Sequence, residues 1–438
     1  MGATANLELD DALREVEAKY VADNPKSLAQ YQRACEVLPG GNTRSVLHYS
    51  PFPLTMTTGA GARLDDVDGH RYVDFLGEYT AGLYGHSNST IAEAVKAALD
   101  SGIVLGAPSD HEVELATLIR DRFPSCEQVR FCNSGTEANL MALGLARGHT
   151  GREKVMVFDG GYHGGVLYFA HGASPVNAPF DTVVGTYNDL DGCVALIEAH
   201  CRDLAAVLIE PMMGSGGGIA ADVEFLKALR DATARHGIVL IFDEVMTSRL
   251  SPAGLQGLVG VTPDLTTLGK YLGGGLTFGA FGGRADLISR FDPRREDAFP
   301  HAGTFNNNVL TMAAGACGLR DIFTPEVATE LNARGDRLRT ALNSIAAQHD
   351  VPAIVTGIGS ILCMHFQRTP ITEPAHTEAT PASARALAHL YLLSQGVYTA
   401  RRGFMSLSLA LDEADYARLE AAFARLCDDW GPVLRRTS

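Results

Sequence analysis

The sequence predicts an α/β protein: a large domain with a mostly parallel sheet flanked by helices, plus a smaller α+β domain. Two patterns support this fold class. Between residues 88 and 323, helical stretches alternate with short, continuously apolar strands, which is typical of parallel strands covered on both faces. After residue 325 the alternation ends, and one long helical stretch is followed by mixed strand-like and helical segments.

The elements of the large domain follow from the spacing of apolar residues. Residues 1–40 alternate charged and apolar positions, which predicts one or two amphipathic helices ahead of this domain. Residues 51–75 predict short strands joined by turns. Five buried strands are expected at 128–131, 154–158, 206–209, 239–242 and 265–268.

The smaller domain is predicted from the last quarter of the chain. Its expected elements are a helix at 326–347, a strand at 359–366, a loop rich in Pro and Thr at 368–381, and a final helix from Glu413. We therefore divide the chain into an N-terminal segment 1–75 that joins the small domain, a large domain 76–324 and a small domain 325–438. A length of 438 residues suits roughly two to three domains of common size.

The composition argues against two classes of partner. The chain is 46% hydrophobic and 20% charged, with a net charge of −15, so no basic surplus meets nucleic acid or an anionic membrane. No uncharged apolar run reaches the length of a membrane span, and residues 1–10 lack the pattern of a secretory signal. The eight cysteines are scattered without a C-x-x-C pair, which suits a reducing compartment. We predict a cytoplasmic protein.

One lysine and one aspartate carry the strongest chemical signal. Lys270 is one of six lysines and lies in segment 267–275, which reads T-L-G-K-Y-L-G-G-G. Asp243 ends the predicted buried strand 239–242. This arrangement is the one that pyridoxal 5′-phosphate (PLP) uses: the amine forms a Schiff base with the aldehyde, and the carboxylate keeps the pyridine nitrogen protonated. A helix N-cap would explain Asp243 alone but would leave Lys270 unexplained.

Two small polar loops are candidates to hold the phosphate group. Segment 131–139 reads F-C-N-S-G-T-E-A-N and joins a predicted strand to a predicted helix. Backbone N–H groups and hydroxyls at a helix N-terminus bind phosphate, although a capping role explains Ser134 or Thr136 more simply when either is considered alone. The second loop, 303–308, reads G-T-F-N-N-N and would on its own be called a turn.

Two further residues follow predicted strands. Tyr162, in the glycine-rich segment 159–165, is placed to stack on a flat ring, or else is a packed tyrosine in a turn. No G-x-G-x-x-G motif follows the first strand, so dinucleotide binding is disfavoured. Glu210 ends the strand 206–209 and either orients the cofactor site or a substrate-binding arginine, or is a surface carboxylate.

Two arginines are candidates for substrate carboxylates. Arg44 lies in segment 39–46, which reads P-G-G-N-T-R-S-V, and Arg402 lies in segment 399–404, which reads T-A-R-R-G-F. A guanidinium group binds a carboxylate through two hydrogen bonds. With 30 arginines in the chain, only the loop context distinguishes these two from solvated surface groups.

Taken together, these motifs resemble the class III aminotransferases of PLP fold type I. The resemblance rests on residues 134–138, 162–164, 243–245, 270–275 and 303–304 and runs through essentially the whole chain. Within this class the chain is most similar to bacterial β-phenylalanine (aromatic β-amino acid) aminotransferases, through residues 44–54, 78–82, 243–250 and 303–308. Glutamate-1-semialdehyde aminomutases are a more distant resemblance, because the loop after residue 41 differs.

The resemblance implies a homodimer with the active site at the subunit interface. Lys270 would form the Schiff base and then act as the general base. Asp243 would hold the pyridinium, and Tyr162 would stack on the ring. The phosphate would be held by Ser134, Gly135 and Thr136, together with Thr304 of the partner subunit.

The resemblance also assigns the arginines. Arg44 would bind the carboxylate of a β-amino acid. Arg402 would bind the α-carboxylate of the oxo-acid acceptor and move aside for an aromatic group. Family members have a single arginine before the corresponding glycine, so Arg401 remains an alternative to Arg402.

We therefore predict a PLP-dependent aminotransferase that moves the amino group of a β-amino acid to 2-oxoglutarate or pyruvate by a ping-pong mechanism. (S)-β-phenylalanine or a similar aromatic β-amino acid is the expected donor. The expected partners are this donor and a 2-oxo acid acceptor, without nucleic acid, membrane or metal ion. Two alternatives remain: an aminomutase of the glutamate-1-semialdehyde type, and a non-catalytic PLP-fold protein, whose signature would be the loss of Lys270 or Asp243.

Overall fold

The computed structural model describes residues 8–170, 172 and 174–437. Residues 1–7 lie outside the described residues. They are the start of the predicted segment 1–75 and most of the stretch 1–10 that was predicted to lack a secretory signal. Within the described ranges, no helix is both long and apolar enough to cross a lipid bilayer.

Helices and strands are numbered in chain order. The α-helices of the described residues are α1 (Leu9–Asp23), α2 (Pro25–Cys35), α3 (Ser89–Ser101), α4 (Asp110–Arg122), α5 (Gly135–Thr150), α6 (Leu190–Ala199), α7 (Val223–His236), α8 (Gly254–Val259), α9 (Ala285–Ile288), α10 (Val309–Cys317), α11 (Pro325–Gln348), α12 (Ala382–Ser394) and α13 (Glu413–Leu434). The strands are β1 (Met56–Ala60), β2 (Arg63–Asp66), β3 (Arg71–Asp74), β4 (Gln128–Cys132), β5 (Lys154–Phe158), β6 (Asp181–Gly185), β7 (Leu204–Ile209), β8 (Met212–Met213), β9 (Ile219–Ala220), β10 (Val239–Asp243), β11 (Leu265–Gly269), β12 (Gly279–Gly283), β13 (Ile354–Ile358), β14 (Ile361–His365), β15 (Val397–Tyr398) and β16 (Phe404–Ser406).

The largest sheet has seven strands in the order β4-β12-β11-β10-β7-β5-β6. All of its strand pairs are parallel except those of β12, which is antiparallel to β4 and β11. Alternate residues of β10 enter two separate cores: Val239 and Ile241 pack on the side of α5, and Leu240 and Phe242 pack on the side of α7. Burial on both faces explains why the strand sequence is continuously apolar.

The predicted α/β fold class is confirmed, and the five predicted strands of the large domain are present as β4, β5, β7, β10 and β11. The sequence did not predict β12, because its residues G-A-F-G-G have low β-propensity. Those glycines are required by close packing: a Cβ at Gly279 would lie 2.1 Å from the Ser134 carbonyl oxygen, and one at Gly283 would lie 2.3 Å from the Asp264 carbonyl oxygen.

The order of the strands brings the chemical candidates to one edge of this sheet. β10 and β11 are parallel neighbours with Asp243 opposite Thr267. Asp243 therefore ends one strand, and Lys270 directly follows the end of the next. Ligands of parallel sheets bind at this carboxyl edge.

Two smaller sheets join the beginning and end of the chain. β1, β2 and β3 form an antiparallel meander, and β15 pairs with β3 in parallel. β13, β14 and β16 form an antiparallel sheet, and α1 packs against α12. Residues before position 75 thus pair with residues after position 325.

Arg249 is a fully buried cation between these two parts of the chain. Its guanidinium donates to Ser360 Oγ and Ser406 Oγ at 3.0 Å each, to the Thr80 carbonyl at 3.4 Å, and to the Leu407 carbonyl. No carboxylate of the described residues pairs with it. Burial lowers its pKa to about 10. Arg249 follows β10, and the hydrogen bonds that it donates therefore link this part of the chain to the sheet of β13, β14 and β16.

Replacing Arg249 should destabilise the whole protein. We expect Arg249→Ala to lower the free energy of unfolding by about 3–5 kcal/mol, because buried acceptors lose their donors and a cavity remains. Arg294→Ala is the control, since Arg294 is 88% exposed and its loss should cost less than about 1 kcal/mol. Urea denaturation of both variants measures the difference, and equal small losses would contradict the role given to Arg249.

Candidate active site

Asp243 lies at the centre of the carboxyl edge and is buried. Its Oδ2 accepts hydrogen bonds from Asn139 Nδ2 and lies beside His163 Nδ1, both at 2.8 Å. Its Oδ1 accepts from the Val245 N–H at 3.0 Å. The bond to Val245 closes a local turn and is not a helix N-cap, because the next helical turn begins at Thr247 with Met246 as its N-cap. Hydrogen bonds of this kind stabilise a buried carboxylate in its charged form.

Asn139 connects three elements at this point. Its Nδ2 also donates to the His163 carbonyl at 3.0 Å, and its Oδ1 accepts from Thr267 Oγ1 at 2.7 Å. Helix α5, the loop after β5 and strand β11 are therefore fixed around the Asp243 carboxylate. Asn139 and His163 lie in the segments 131–139 and 159–165, but no sequence pattern indicated a role for either residue. Their proximity in sequence to Ser134 and Tyr162 was the available signal.

Lys270 is half-buried and has a left-handed backbone conformation, with φ at 59°. Burial lowers the pKa of its amine, and the nearby guanidinium charges of Arg44 and Arg402 lower it further. The carboxylates of Glu78 and Asp243 act in the opposite direction. A lowered pKa increases the neutral fraction of the amine, which is the form that acts as a nucleophile or base.

The loop before α5 presents small polar groups at a helix N-terminus. Ser134 Oγ accepts from the Glu137 N–H at 3.2 Å, so the capping alternative is correct for Ser134. Its hydroxyl hydrogen remains available to a ligand. Gly135 lies against Val245, and Thr136 lies close to Gly164, where an added Cβ would sit 2.2 Å from Thr136 Oγ1. Such an N-terminus binds anions.

Tyr162 presents part of its ring to solvent and is 41% exposed. Its ring packs edge to face on Tyr168, with centroids 5.7 Å apart. The Tyr162 N–H donates to Glu210 Oε2 at 3.0 Å, and the Gly214 N–H donates to Glu210 Oε1 at 3.1 Å. Glu210 is buried, which rules out the surface alternative, and burial raises its pKa to about 7.

Thr304 lies apart from these groups on an exposed turn. Two residues later, Asn306 Oδ1 accepts from Asn133 Nδ2 at 3.0 Å. The turn is therefore anchored to the start of the loop before α5, while Thr304 itself faces outward. Its predicted role toward a partner subunit stays a prediction.

Arg44 is paired with a carboxylate of its own chain. Its Nη1 lies 2.6 Å from Glu78 Oε1, and both side chains are about half exposed. Glu78 lies in the stretch 78–82 that supports the resemblance, but its sequence context indicated no role for it. No sequence pattern reveals this pair, because the two residues are 34 positions apart in the sequence, with β1, β2 and β3 between them.

Arg402 lies in the loop between β15 and β16. Its Nη1 donates to Ser215 Oγ at 3.0 Å, and its guanidinium lies 5.2 Å from the Tyr79 ring centre and 5.5 Å from that of Phe404. Its charge acts on Lys270, whereas the charge of Arg401 acts on the buried His389. Of the two adjacent arginines, the geometry favours Arg402 as the one facing the site.

These residues fit PLP on three independent grounds. Asp243 offers a buried acceptor for a protonated ring nitrogen, Lys270 offers an amine with a lowered pKa, and the N-terminus of α5 offers donors for a phosphate. The three groups come from neighbouring strand ends and the helix that packs on them. Their individual roles stay predictions.

Comparison with known proteins identifies the family. The profile of class-III aminotransferases matches residues 46–410. A β-phenylalanine transaminase of Variovorax paradoxus is 49% identical over 98% of this chain and 99% of its own. A crystal structure of a β-phenylalanine aminotransferase from the same species has a TM-score of 0.95 and covers 97% of this chain and 98% of its own. A glutamate-1-semialdehyde 2,1-aminomutase of Desulforudis audaxviator is 38% identical over 90% of this chain and 95% of its own. The chain belongs to the class-III aminotransferases, which are PLP enzymes.

Proposed function

We propose that this aminotransferase moves the amino group of an aromatic β-amino acid, such as (S)-β-phenylalanine, to 2-oxoglutarate or pyruvate. The observation that carries the proposal is the presence of two arginines, Arg44 and Arg402, whose charges reach Lys270 from separate elements. In a β-amino acid one carbon lies between the amino-bearing carbon and the carboxylate. In a 2-oxo acid the carbon that receives the amino group is bonded directly to the carboxylate. Two carboxylate positions therefore call for two guanidinium groups. The similarity to a β-phenylalanine transaminase supports the same donor.

Each residue of the site would contribute a defined step. When bound, PLP withdraws electrons from the amino-bearing carbon and so makes its C–H bond acidic. Lys270 Nζ would bind the cofactor aldehyde and, once displaced by the donor amine, move the proton from that carbon. Asp243 would hold the proton of the ring nitrogen, and Asn139 and His163 would fix the orientation of its carboxylate.

The arginines would act in alternate half-reactions. Arg44 would bind the β-amino acid carboxylate while the aryl group occupies the side of Arg402. Arg402 would bind the α-carboxylate of the acceptor in the second half-reaction. The Arg402 guanidinium lies over the rings of Tyr79 and Phe404 and is not paired with a buried carboxylate of the described residues. This environment supports a side chain that can change position.

The proposal includes a homodimer in which Thr304 contacts the phosphate of the partner subunit. Phe305, next to it, is 61% exposed, and Val104 is 82% exposed, as expected of surfaces that a second subunit covers. It also includes the division into segments 1–75, 76–324 and 325–438. A cytoplasmic location is supported by the eight free cysteines.

The aminomutase alternative is distinguished by its product balance. A mutase returns the amino group to the same carbon skeleton and needs no acceptor. With (S)-β-phenylalanine as donor, we expect one glutamate for every 2-oxoglutarate consumed, measured by chromatography. Consumption of glutamate-1-semialdehyde without an acceptor, and no glutamate from 2-oxoglutarate, would instead support the mutase.

Lys270→Ala tests the base and nucleophile. We expect transamination to fall by at least about four orders of magnitude, because one amine supplies both functions. PLP should still bind, with the absorbance of the free aldehyde instead of that of the lysine-bound form. Lys227→Ala, which removes an exposed lysine paired with Glu224, is the control. Near-normal turnover by Lys270→Ala would remove Lys270 from its role.

Arg44→Ala tests the donor carboxylate site. We expect the KM for (S)-β-phenylalanine to rise by an amount equivalent to about 2–4 kcal/mol of lost charge-assisted hydrogen bonding. The KM for (S)-1-phenylethylamine, which has no carboxylate, should change much less. Steady-state kinetics with both donors measure the difference. An equal rise for both would show that Arg44 does not bind the carboxylate.

A further inference from the structure

The turn that carries Glu78 has an unusual backbone. Glu78, Tyr79 and Thr80 have φ values of 45°, 52° and 82° in succession. Residues with a Cβ rarely adopt this left-handed conformation, and three in a row persist only where surrounding contacts hold them. Strain of this kind is concentrated at sites that clamp ligands.

The surroundings of the turn hold it from several sides. Asp74 Oδ1 accepts from the Gly77 N–H at 3.0 Å, and the buried Arg249 donates to the Thr80 carbonyl at 3.4 Å. The Tyr79 ring stacks on Phe404 with centroids 5.6 Å apart, and its hydroxyl donates to the Val46 carbonyl at 3.3 Å. The position of Glu78 is therefore set by the protein core, not by its own pairing.

The turn thereby places the Glu78 carboxylate against the Arg44 guanidinium, to which the carboxylate of the amino donor is proposed to bind. Glu78 Oε1 lies 2.6 Å from Arg44 Nη1, and the Glu78 charge also reaches the Lys270 amine. A substrate carboxylate that binds Arg44 through Nη1 has to compete with Glu78 for this donor. Because both side chains are about half exposed, solvent screens the pair and exchange of one carboxylate for another is inexpensive.

We propose that Glu78 is a specificity-determining residue that stands in for the donor carboxylate on Arg44 and leaves it when a carboxylate-bearing substrate binds. The inference rests on the proposed role of Arg44. With a ligand that lacks a carboxylate, Glu78 stays on Arg44, so the arginine is never left unpaired next to an apolar group. Glu78 therefore weakens the binding of carboxylates and permits the binding of uncharged ligands.

The same exchange bears on the acceptor. 2-Oxoglutarate has a second carboxylate that can replace Glu78 on Arg44 while its α-carboxylate binds Arg402. Pyruvate has only one carboxylate and leaves the Glu78 pair in place. Glu78 thus reduces the advantage of 2-oxoglutarate over pyruvate.

Glu78→Gln in the PLP-loaded enzyme tests the inference, because the amide keeps the size of the side chain and removes its charge. The matched control is Glu330→Gln, which removes a carboxylate from an exposed pair on α11. Two inhibitors of nearly equal size differ in charge and in one hydrogen-bonding group: 3-phenylpropanoate and its amide. We expect 3-phenylpropanoate to bind the Glu78→Gln variant about two- to fivefold more tightly than it binds the native enzyme. The amide should bind the variant as tightly as it binds the native enzyme, or less tightly.

Kinetics give a second readout. The KM values for (S)-β-phenylalanine and 2-oxoglutarate should fall by a similar factor in Glu78→Gln, while the KM for pyruvate stays the same or rises. A simple change in the charge around Lys270 would instead move kcat for every substrate in one direction.

Three results would overturn the inference. Equal shifts for 3-phenylpropanoate and its amide, or no shift for either, would show that Glu78 does not compete with carboxylates. No inhibition of the native enzyme by 3-phenylpropanoate would show that Arg44 offers no exchangeable carboxylate site. The first result leaves the proposed function standing, and the second also removes the role that it gives to Arg44. Failure of the native enzyme to use any β-amino acid would overturn the proposed function as a whole.

Discussion

The geometry of the site depends on one buried carboxylate. Asp243 accepts hydrogen bonds from side chains on α5 and after β5 and from the backbone after its own strand. An ionised carboxylate in this position is too costly unless such donors stay in place. The need to satisfy it therefore fixes the helix, the loop and two strand ends relative to one another. Lys270 directly follows the end of the adjacent strand β11. The pairing of β10 with β11 therefore sets its distance from Asp243.

Charged groups of both signs act on the amine of Lys270. Burial and two guanidinium groups lower its pKa, and two carboxylates raise it. In the proposed function the arginines would serve two purposes: they would bind substrate carboxylates, and their charges lower the pKa of the lysine. Glu78 connects the two purposes, because it both pairs with Arg44 and acts on the lysine. The substrate site and the catalytic group share one electrostatic environment.

Most of the fold and the centre of the site were predictable from the sequence. Continuous apolar runs located β10 and β11, and their ends located Asp243 and Lys270. The sequence could not reveal β12, since its glycines are explained only by the backbone atoms that they approach. Asn139 and Glu78 were also missed. Asn139 is explained by a contact across the fold, and Glu78 by a strained turn that Arg249 and Phe404 hold from distant parts of the chain. Contacts of this range leave no periodic pattern in the sequence.

The central claim is that Lys270 and Asp243 form a PLP site that accepts amino groups from β-amino acids. The visible absorbance spectrum of the purified protein, incubated with PLP, tests it most directly when (S)-β-phenylalanine is added without an acceptor. We predict the band of lysine-bound PLP, and its conversion to the spectrum of pyridoxamine phosphate on addition of the donor. A band that does not change with any β-amino acid would contradict the donor assignment, and the absence of a band would contradict the assignment of Lys270.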